Sequence, residues 1–243
     1  TEQITMGQTV DICVPTGNFG NILAAYYAKR MGVPLGRLVC ASNANNVLTE
    51  FLSTGVYDRN RPFYQTASPS MDILISSNLE RLLYLLSGSD EEVRGYMRQL
   101  TETGRYTVSG SIKAAIGDIF ACGCCDDAGT EEMIGRLYQK NGYLLDTHTA
   151  VAYRVAEQYR AQSGCSTPIV IASTASPFKF CASVLNALGC TAQAAGTAII
   201  PQLAAVSGKP APAPLAGLAG KAVRFENVTD KDAMRAVVSD FLR

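Results

Sequence analysis

The sequence has little of what metal, nucleic-acid and membrane proteins need. His148 is the single histidine in 243 residues, and Lys plus Arg balance Asp plus Glu at 21 each. With no histidine cluster, the grouped thiols Cys122, Cys124 and Cys125 lack a second ligand pair for a tetrahedral metal site and read as unliganded. With no basic excess there is no electrostatic footprint for nucleic acid or an anionic membrane surface. No apolar run reaches the roughly 20 residues that span a bilayer, and residues 1–8 have neither the basic start nor the apolar run of a signal peptide. We therefore expect a soluble protein that binds no nucleic acid, no membrane and no metal. Eight cysteines spread through apolar segments fit reduced thiols in the cytoplasm better than a disulfide framework. The first residue is Thr1, a few residues before a core strand, as expected of a piece cut from a longer chain.

What is present centres on residues 9–32. Thr9 to Val14 is rich in β-branched and apolar side chains, as a buried strand is, and Ile22 to Met31 carries apolar positions at helical spacing before Gly32. Between them, Gly17 and Gly20 supply permissive backbone, and Asn18 and Asn21 supply amides. The unpaired N–H groups and positive dipole end of a helix start suit a phosphate without any Lys or Arg. Gly-Asn-Phe-Gly-Asn matches neither the phosphate loop ending in Gly-Lys-Ser/Thr nor the three-glycine dinucleotide fingerprint, so a plain strand-to-helix turn stays open as the alternative.

The rest of the chain continues as α/β. A strand over 37–41, a short helix over 45–54 closed by Gly55, and a helix over 78–86 closed by Gly88 are predicted, with a loop at 58–70 between the two helices. A charged helix begins at Asp90, a short strand covers 107–111, and helices cover 130–140 and 151–162. Ile169 to Ala172 reads as the clearest buried strand, running into Ser173–Phe180 with Pro177 at a first helical position. Residues 206–221 read as an extended connector, 222–225 as an edge strand and 230–242 as an amphipathic helix. The fold class expected is a three-layer, open, mostly parallel sheet with helices on both faces, the turn lying at a strand's C-terminal end.

Five motifs in order, VPTGNFGN (14–21), SNANNVLTEF (42–51), PSMDILISSNLERL (69–82), DTHTAVA (146–152) and STASPFKF (173–180), resemble threonine synthase. The resemblance implies the tryptophan-synthase-β type of fold (fold type II), with residues 1–243 as the C-terminal portion of the large pyridoxal-phosphate-binding domain. It implies pyridoxal 5'-phosphate as cofactor, held by Gly17, Asn18, Phe19, Gly20 and Asn21 at the phosphate and by Thr174 at the ring nitrogen, with His148 and Lys179 bordering the site. It implies a small phosphorylated amino-acid substrate, O-phosphohomoserine, converted with water to threonine and phosphate. The family's Schiff-base lysine lies in an HGPTxxFKD motif that none of the seven lysines here occupies, so this chain is expected to carry no catalytic residue and to be inactive alone. Thr147 stands where many relatives have Pro, and Ser176 where many have His.

Three alternatives remain open at the level of sequence. A related phospho-lyase or β-replacement enzyme would share these motifs, and a non-catalytic phosphate-ligand domain would need only the Gly-Asn turn. Ser70, Asp72, Ser77 and Asn78, like Asn43, Asn45 and Asn46, read equally well as helix caps, and His148 equally well as a helix-start histidine making one backbone hydrogen bond. Self-association through exposed apolar surface is a further expectation.

Overall fold

A computed structural model describes residues 4–243, so the reading of the Thr1 start lies outside the described residues. In chain order the elements are β1 (Val10–Pro15), α1 (Gly20–Arg30), β2 (Leu35–Ser42), α2 (Val47–Thr54), β3 (Val56–Asp58), α3 (Leu79–Ser87), α4 (Asp90–Thr103), β4 (Arg105–Thr107) and α5 (Gly110–Ile119). They continue with β5 (Phe120–Cys124), α6 (Asp127–Asn141), α7 (Thr147–Ser163), β6 (Ile169–Ile171), α8 (Cys181–Ala187), α9 (Ile200–Ser207), α10 (Ala213–Ala216) and α11 (Met234–Phe241). Among the described residues no helix is long and apolar enough to cross a membrane.

Four parallel strands form the main sheet in the order β5-β2-β1-β6, and β3 pairs antiparallel with β4 beside it. Because side chains alternate along a strand, the two faces bury different sets. Val14, Leu38, Cys40 and Phe120 pack with Ile22, Phe51 and Ile116 of α1, α2 and α5, whereas Cys13, Val39 and Ala41 pack under Val151, Ala152 and Val155 of α7. This is the three-layer parallel arrangement that the sequence predicts. A separate cluster around Ile134, Leu145, Val184 and Leu203 joins α6, α8 and α9.

Several local expectations differ from the structure. β6 is an edge strand, not a buried one: Val170 is 41% exposed, and among the described residues no strand pairs with its outer side. The strand expected at 107–111 ends at Thr107; the Ser109 hydroxyl then accepts from the Ile112 N–H and starts α5. Neither α5 nor β5 was legible in the sequence. Residues 222–225 form no strand, and 206–221 is more compact than an extended connector, holding the end of α9, α10 and a 3-10 turn at 217–220. Gly55 and Gly88 do close α2 and α3 in the left-handed conformation, with φ of 79° and 67°.

Candidate functional site

A cavity of about 300 Å³ opens at the C-terminal ends of β1 and β6. It is lined by Gly17, Asn18, Phe19, Gly20 and Asn21 from the β1–α1 turn, by Thr174 and Lys179 from the segment after β6, and by His148 at the start of α7. All eight predicted site residues thus meet at one place, and Lys179 is the sole charged side chain in its lining.

The turn is built differently from the sequence expectation. Neither Gly17 nor Gly20 has a positive φ; the left-handed residue is Phe19, at φ 63° and ψ 9°. Its ring is buried and lies 5.6 Å from that of Phe120, so the core holds the turn in this conformation. Gly17 is needed instead for close approach, since a Cβ there would sit 2.9 Å from Ser70 O and 3.0 Å from Met71 Cα.

The amide N–H groups of the turn face no internal acceptor. Thr16 N–H donates to Ala41 O at 2.8 Å, closing the sheet, and Leu23 N–H donates to Phe19 O at 3.1 Å, opening α1. Among the described residues, the backbone N–H groups of Gly17 to Ile22 between them have no hydrogen-bond partner, and no side chain caps the helix. Asn18, Gly20 and Asn21 are exposed and Gly17 is half-buried, so these amides are open to water or to a ligand, as at any helix start that no side chain caps. Consecutive amides around an αL residue at a helix start form a concave anion site.

The asparagine side chain is used for support. Asn18 Oδ1 accepts from Ser77 N at 3.0 Å and Ser77 Oγ at 3.2 Å, Asn78 Nδ2 donates to Asn18 O at 2.7 Å, and Ser76 Oγ donates to Gly17 O at 3.0 Å. Ser77 and Asn78 therefore brace the turn, and Asn78 makes no side-chain cap to α3. Asp72 likewise is no cap. Its carboxylate accepts from Thr66 N (2.9 Å), Thr66 Oγ1 (2.7 Å), Asn43 Nδ2 (2.8 Å) and Asn45 Nδ2 (3.0 Å), tying the 58–70 loop to the end of β2.

His148, 3% exposed, borders the cavity and also accepts a backbone hydrogen bond, from Ser70 N at 3.2 Å to Nε2. Its Nδ1 faces Asp146 Oδ1 at 3.5 Å and Thr147 Oγ1 at 3.3 Å, and its ring lies 4.7 Å from Phe180. Asp146 caps α7, accepting from His148 N at 2.9 Å and Thr149 N at 3.1 Å and from the Thr149 hydroxyl. Burial alone would raise the Asp146 pKa; hydrogen bonds from the His148 side chain and from Thr149 outweigh it and hold the pKa below the usual aspartate range. The resemblance does not single out Ser70 and Met71, which line the cavity against Gly17. The PSMD motif was the available signal.

Thr174 is exposed at the rim, and among the described residues no hydrogen bond holds its hydroxyl; Lys179 ends a 3-10 turn begun by Pro177. The site thus offers unpaired amides at one end, a free hydroxyl and a lysine at the other, and a buried histidine along the wall. Those donors fit a phosphate-bearing ring such as pyridoxal phosphate: anion at the amides, a ring polar atom at a neutral hydroxyl.

A family model described as "Threonine synthase, C-terminal" matches residues 149–238. Mouse threonine synthase-like 1 is 45% identical over 188 residues, covering 76% of this chain and 25% of that protein. The crystal structure of threonine synthase from yeast superposes with a TM-score of 0.83 at 32% identity, covering 96% of this chain and 47% of that one. The pyridoxal-phosphate-bound threonine synthase of Brucella melitensis superposes with a TM-score of 0.71 at 39% identity, covering 84% and 42%. The chain spans about a quarter of the length of the mouse relative and under half of each solved structure.

Proposed function

We propose that the chain belongs to the threonine synthase family, on its similarity to the C-terminal region of those proteins, and that its cavity is the phosphate- and ring-binding half of a pyridoxal-phosphate site. The observation that carries this reading is the run of unpartnered amides from Gly17 to Ile22. Gly17, Asn18, Phe19, Gly20 and Asn21 would hold the cofactor phosphate through these N–H groups, and Thr174 would offer its hydroxyl to the pyridine nitrogen. When bound, the cofactor supplies an electron sink for carbanions on the substrate. A neutral hydroxyl at the ring nitrogen, unlike a carboxylate, does not hold that nitrogen protonated. Lys179 adds a positive charge to the cavity wall, and His148 keeps the opposite wall in place.

In the whole protein this site would serve conversion of O-phospho-L-homoserine and water to L-threonine and phosphate, a carbon–oxygen lyase reaction of cytoplasmic amino-acid biosynthesis. The isolated chain is proposed to bind pyridoxal phosphate weakly and to release no phosphate from substrate, because none of its lysines stands in the family's Schiff-base motif. A second reading is a related phospho-lyase with a different substrate, which would share the same motifs and cavity. The deciding experiment expresses the complete gene that encodes this chain and measures phosphate release from O-phosphohomoserine with pyridoxal phosphate present. Release supports the first reading. Cofactor binding without release supports the second, and no cofactor binding sinks both.

A further inference from the structure

Ser70 connects two cavity features that lie far apart in sequence. Its carbonyl oxygen presses on Gly17, 2.9 Å from where a Cβ would stand, while its N–H donates to His148 Nε2 at 3.2 Å. A backbone N–H is an obligate donor, so Nε2 must accept through its lone pair and the ring proton resides on Nδ1, toward Asp146 and Thr147. Given the cofactor reading above, we infer that His148 is a positioning residue for this site: by accepting the Ser70 N–H at Nε2 it holds the Ser70–Met71 turn against Gly17, and so fixes the backbone that flanks the phosphate-binding amides.

The geometry makes this a single-atom device. Met71 is buried beneath the turn, and the Met71 N–H donates to Ser68 O at 2.9 Å, so the turn is rigid and its outward face is fixed by His148. A proton on Nε2 would set donor against donor and release Ser70. Asp146, the residue that caps the same helix, faces Nδ1 at 3.5 Å, and the ring of Phe180 packs 4.7 Å from that of His148. Asp146 favours the Nδ1 proton, which leaves Nε2 free to accept.

The test uses the full chain labelled with ¹⁵N, His148→Phe and His148→Gln. The Ser70 amide is expected to be protected from hydrogen exchange in the wild type and in His148→Gln, whose Oε1 can take the same N–H, and to exchange at least about tenfold faster in His148→Phe, which keeps a ring but offers no acceptor. His148→Phe is also expected to weaken pyridoxal phosphate binding about tenfold, and His148→Gln to recover most of it. A Ser70 amide that exchanges as slowly in a folded His148→Phe as in the wild type overturns the proposal, as does a folded His148→Phe that binds like wild type. If His148→Phe does not fold, the wild type alone decides: a Ser70 amide that exchanges like an unprotected one overturns the proposal. Should the wild type bind no pyridoxal phosphate while the Ser70 amide stays protected, the cofactor reading fails and the His148–Ser70 link stands.

Discussion

Gly17→Ala isolates the close approach on which the cavity depends. Gly17 is not in the left-handed region, so an alanine meets no backbone strain there, and the whole penalty is steric. To reach ordinary contact, Ser70 O would have to move from 2.9 to 3.4 Å from the new Cβ, and Met71 Cα from 3.0 to 3.4 Å. Both atoms are backbone of one turn, pinned by Met71 N to Ser68 O at 2.9 Å, Asp72 N to Pro69 O at 3.1 Å and Ser70 N to His148 at 3.2 Å. Overpacking of this kind costs about 1–3 kcal/mol, less about 0.4–1 kcal/mol regained from the stiffer unfolded chain. The net cost is about 0–2.6 kcal/mol, and at roughly 2–4 °C per kcal/mol for a chain of this size Tm should fall by up to about 10 °C. Gly20→Ala is the control, because its Cβ would stand 3.5 Å from Asn78 Nδ2, an ordinary contact, at the first residue of α1. Thermal unfolding followed by circular dichroism compares the two. A Gly17→Ala protein at least as stable as Gly20→Ala would refute the reasoning.

Asp72→Ala should cost about 2–4 kcal/mol in urea unfolding and open the 58–70 loop to limited proteolysis, since it strips the acceptor from Thr66, Asn43 and Asn45 together; an unchanged midpoint and cleavage pattern would remove Asp72 from that role. Asp146 has its folded pKa depressed, so its stabilising contribution is complete above the ordinary aspartate range and is lost as pH falls through the folded value. Unfolding free energy measured between about pH 6 and about pH 2 should therefore decline less steeply for Asp146→Asn than for the wild type, and parallel curves would contradict the assignment. Burial pushes the Cys40 thiol up to about 12 and raises Cys13 as well, while Cys124 is exposed. A thiol reagent at neutral pH should label Cys124 and leave Cys13 and Cys40 unreacted in the folded chain, read by mass spectrometry of peptides; labelling of Cys40 before unfolding would contradict its burial.

The parts legible in the sequence are those where local pattern and tertiary role agree. β1, α1, β2 and α2 carry β-branched runs, helical spacing and a terminating glycine, and they form as expected. β5 is hidden because Phe-Ala-Cys-Gly-Cys has no β-branched residue; its strand state is imposed by pairing with β2, Leu38 opposite Phe120 and Cys40 opposite Cys122. α5 is diluted by Gly110, Gly117 and Asp118, and what holds it is burial of Ile112 and Ile116. β6 misleads in the other direction: Ile-Val-Ile looks like a central strand, yet it stands at the edge. For the site, residue types and motifs bring out eight of the fourteen lining residues, but spacing cannot separate a helix cap from a brace. Asn18 reaches Ser77 and Asn78 across about 60 positions, and Asp72 reaches back to Asn43 and Asn45, contacts that no local window contains.

Phe19 shows how the fold and the site share one residue. A bulky side chain in the left-handed region costs on the order of 1–3 kcal/mol, and glycine at that position would remove the cost. Full burial of an aromatic ring contributes about 1.5–3 kcal/mol, so the Phe19 ring, 1% exposed against Phe120, roughly offsets the strain it imposes. The two effects are not interchangeable in their consequences. A glycine would sample many conformations, and the amides on either side would point in many directions; a phenylalanine anchored in the core has one, and it fixes the backbone that carries the unpartnered N–H groups of Gly17 to Ile22. The glycines beside it then serve the neighbouring walls, Gly17 by admitting Ser70 and Gly20 by leaving the helix entrance bare. Preorganised donors bind an anion without the entropic cost of collecting them, so the phosphate site proposed above would need no more than the single charged side chain in its lining.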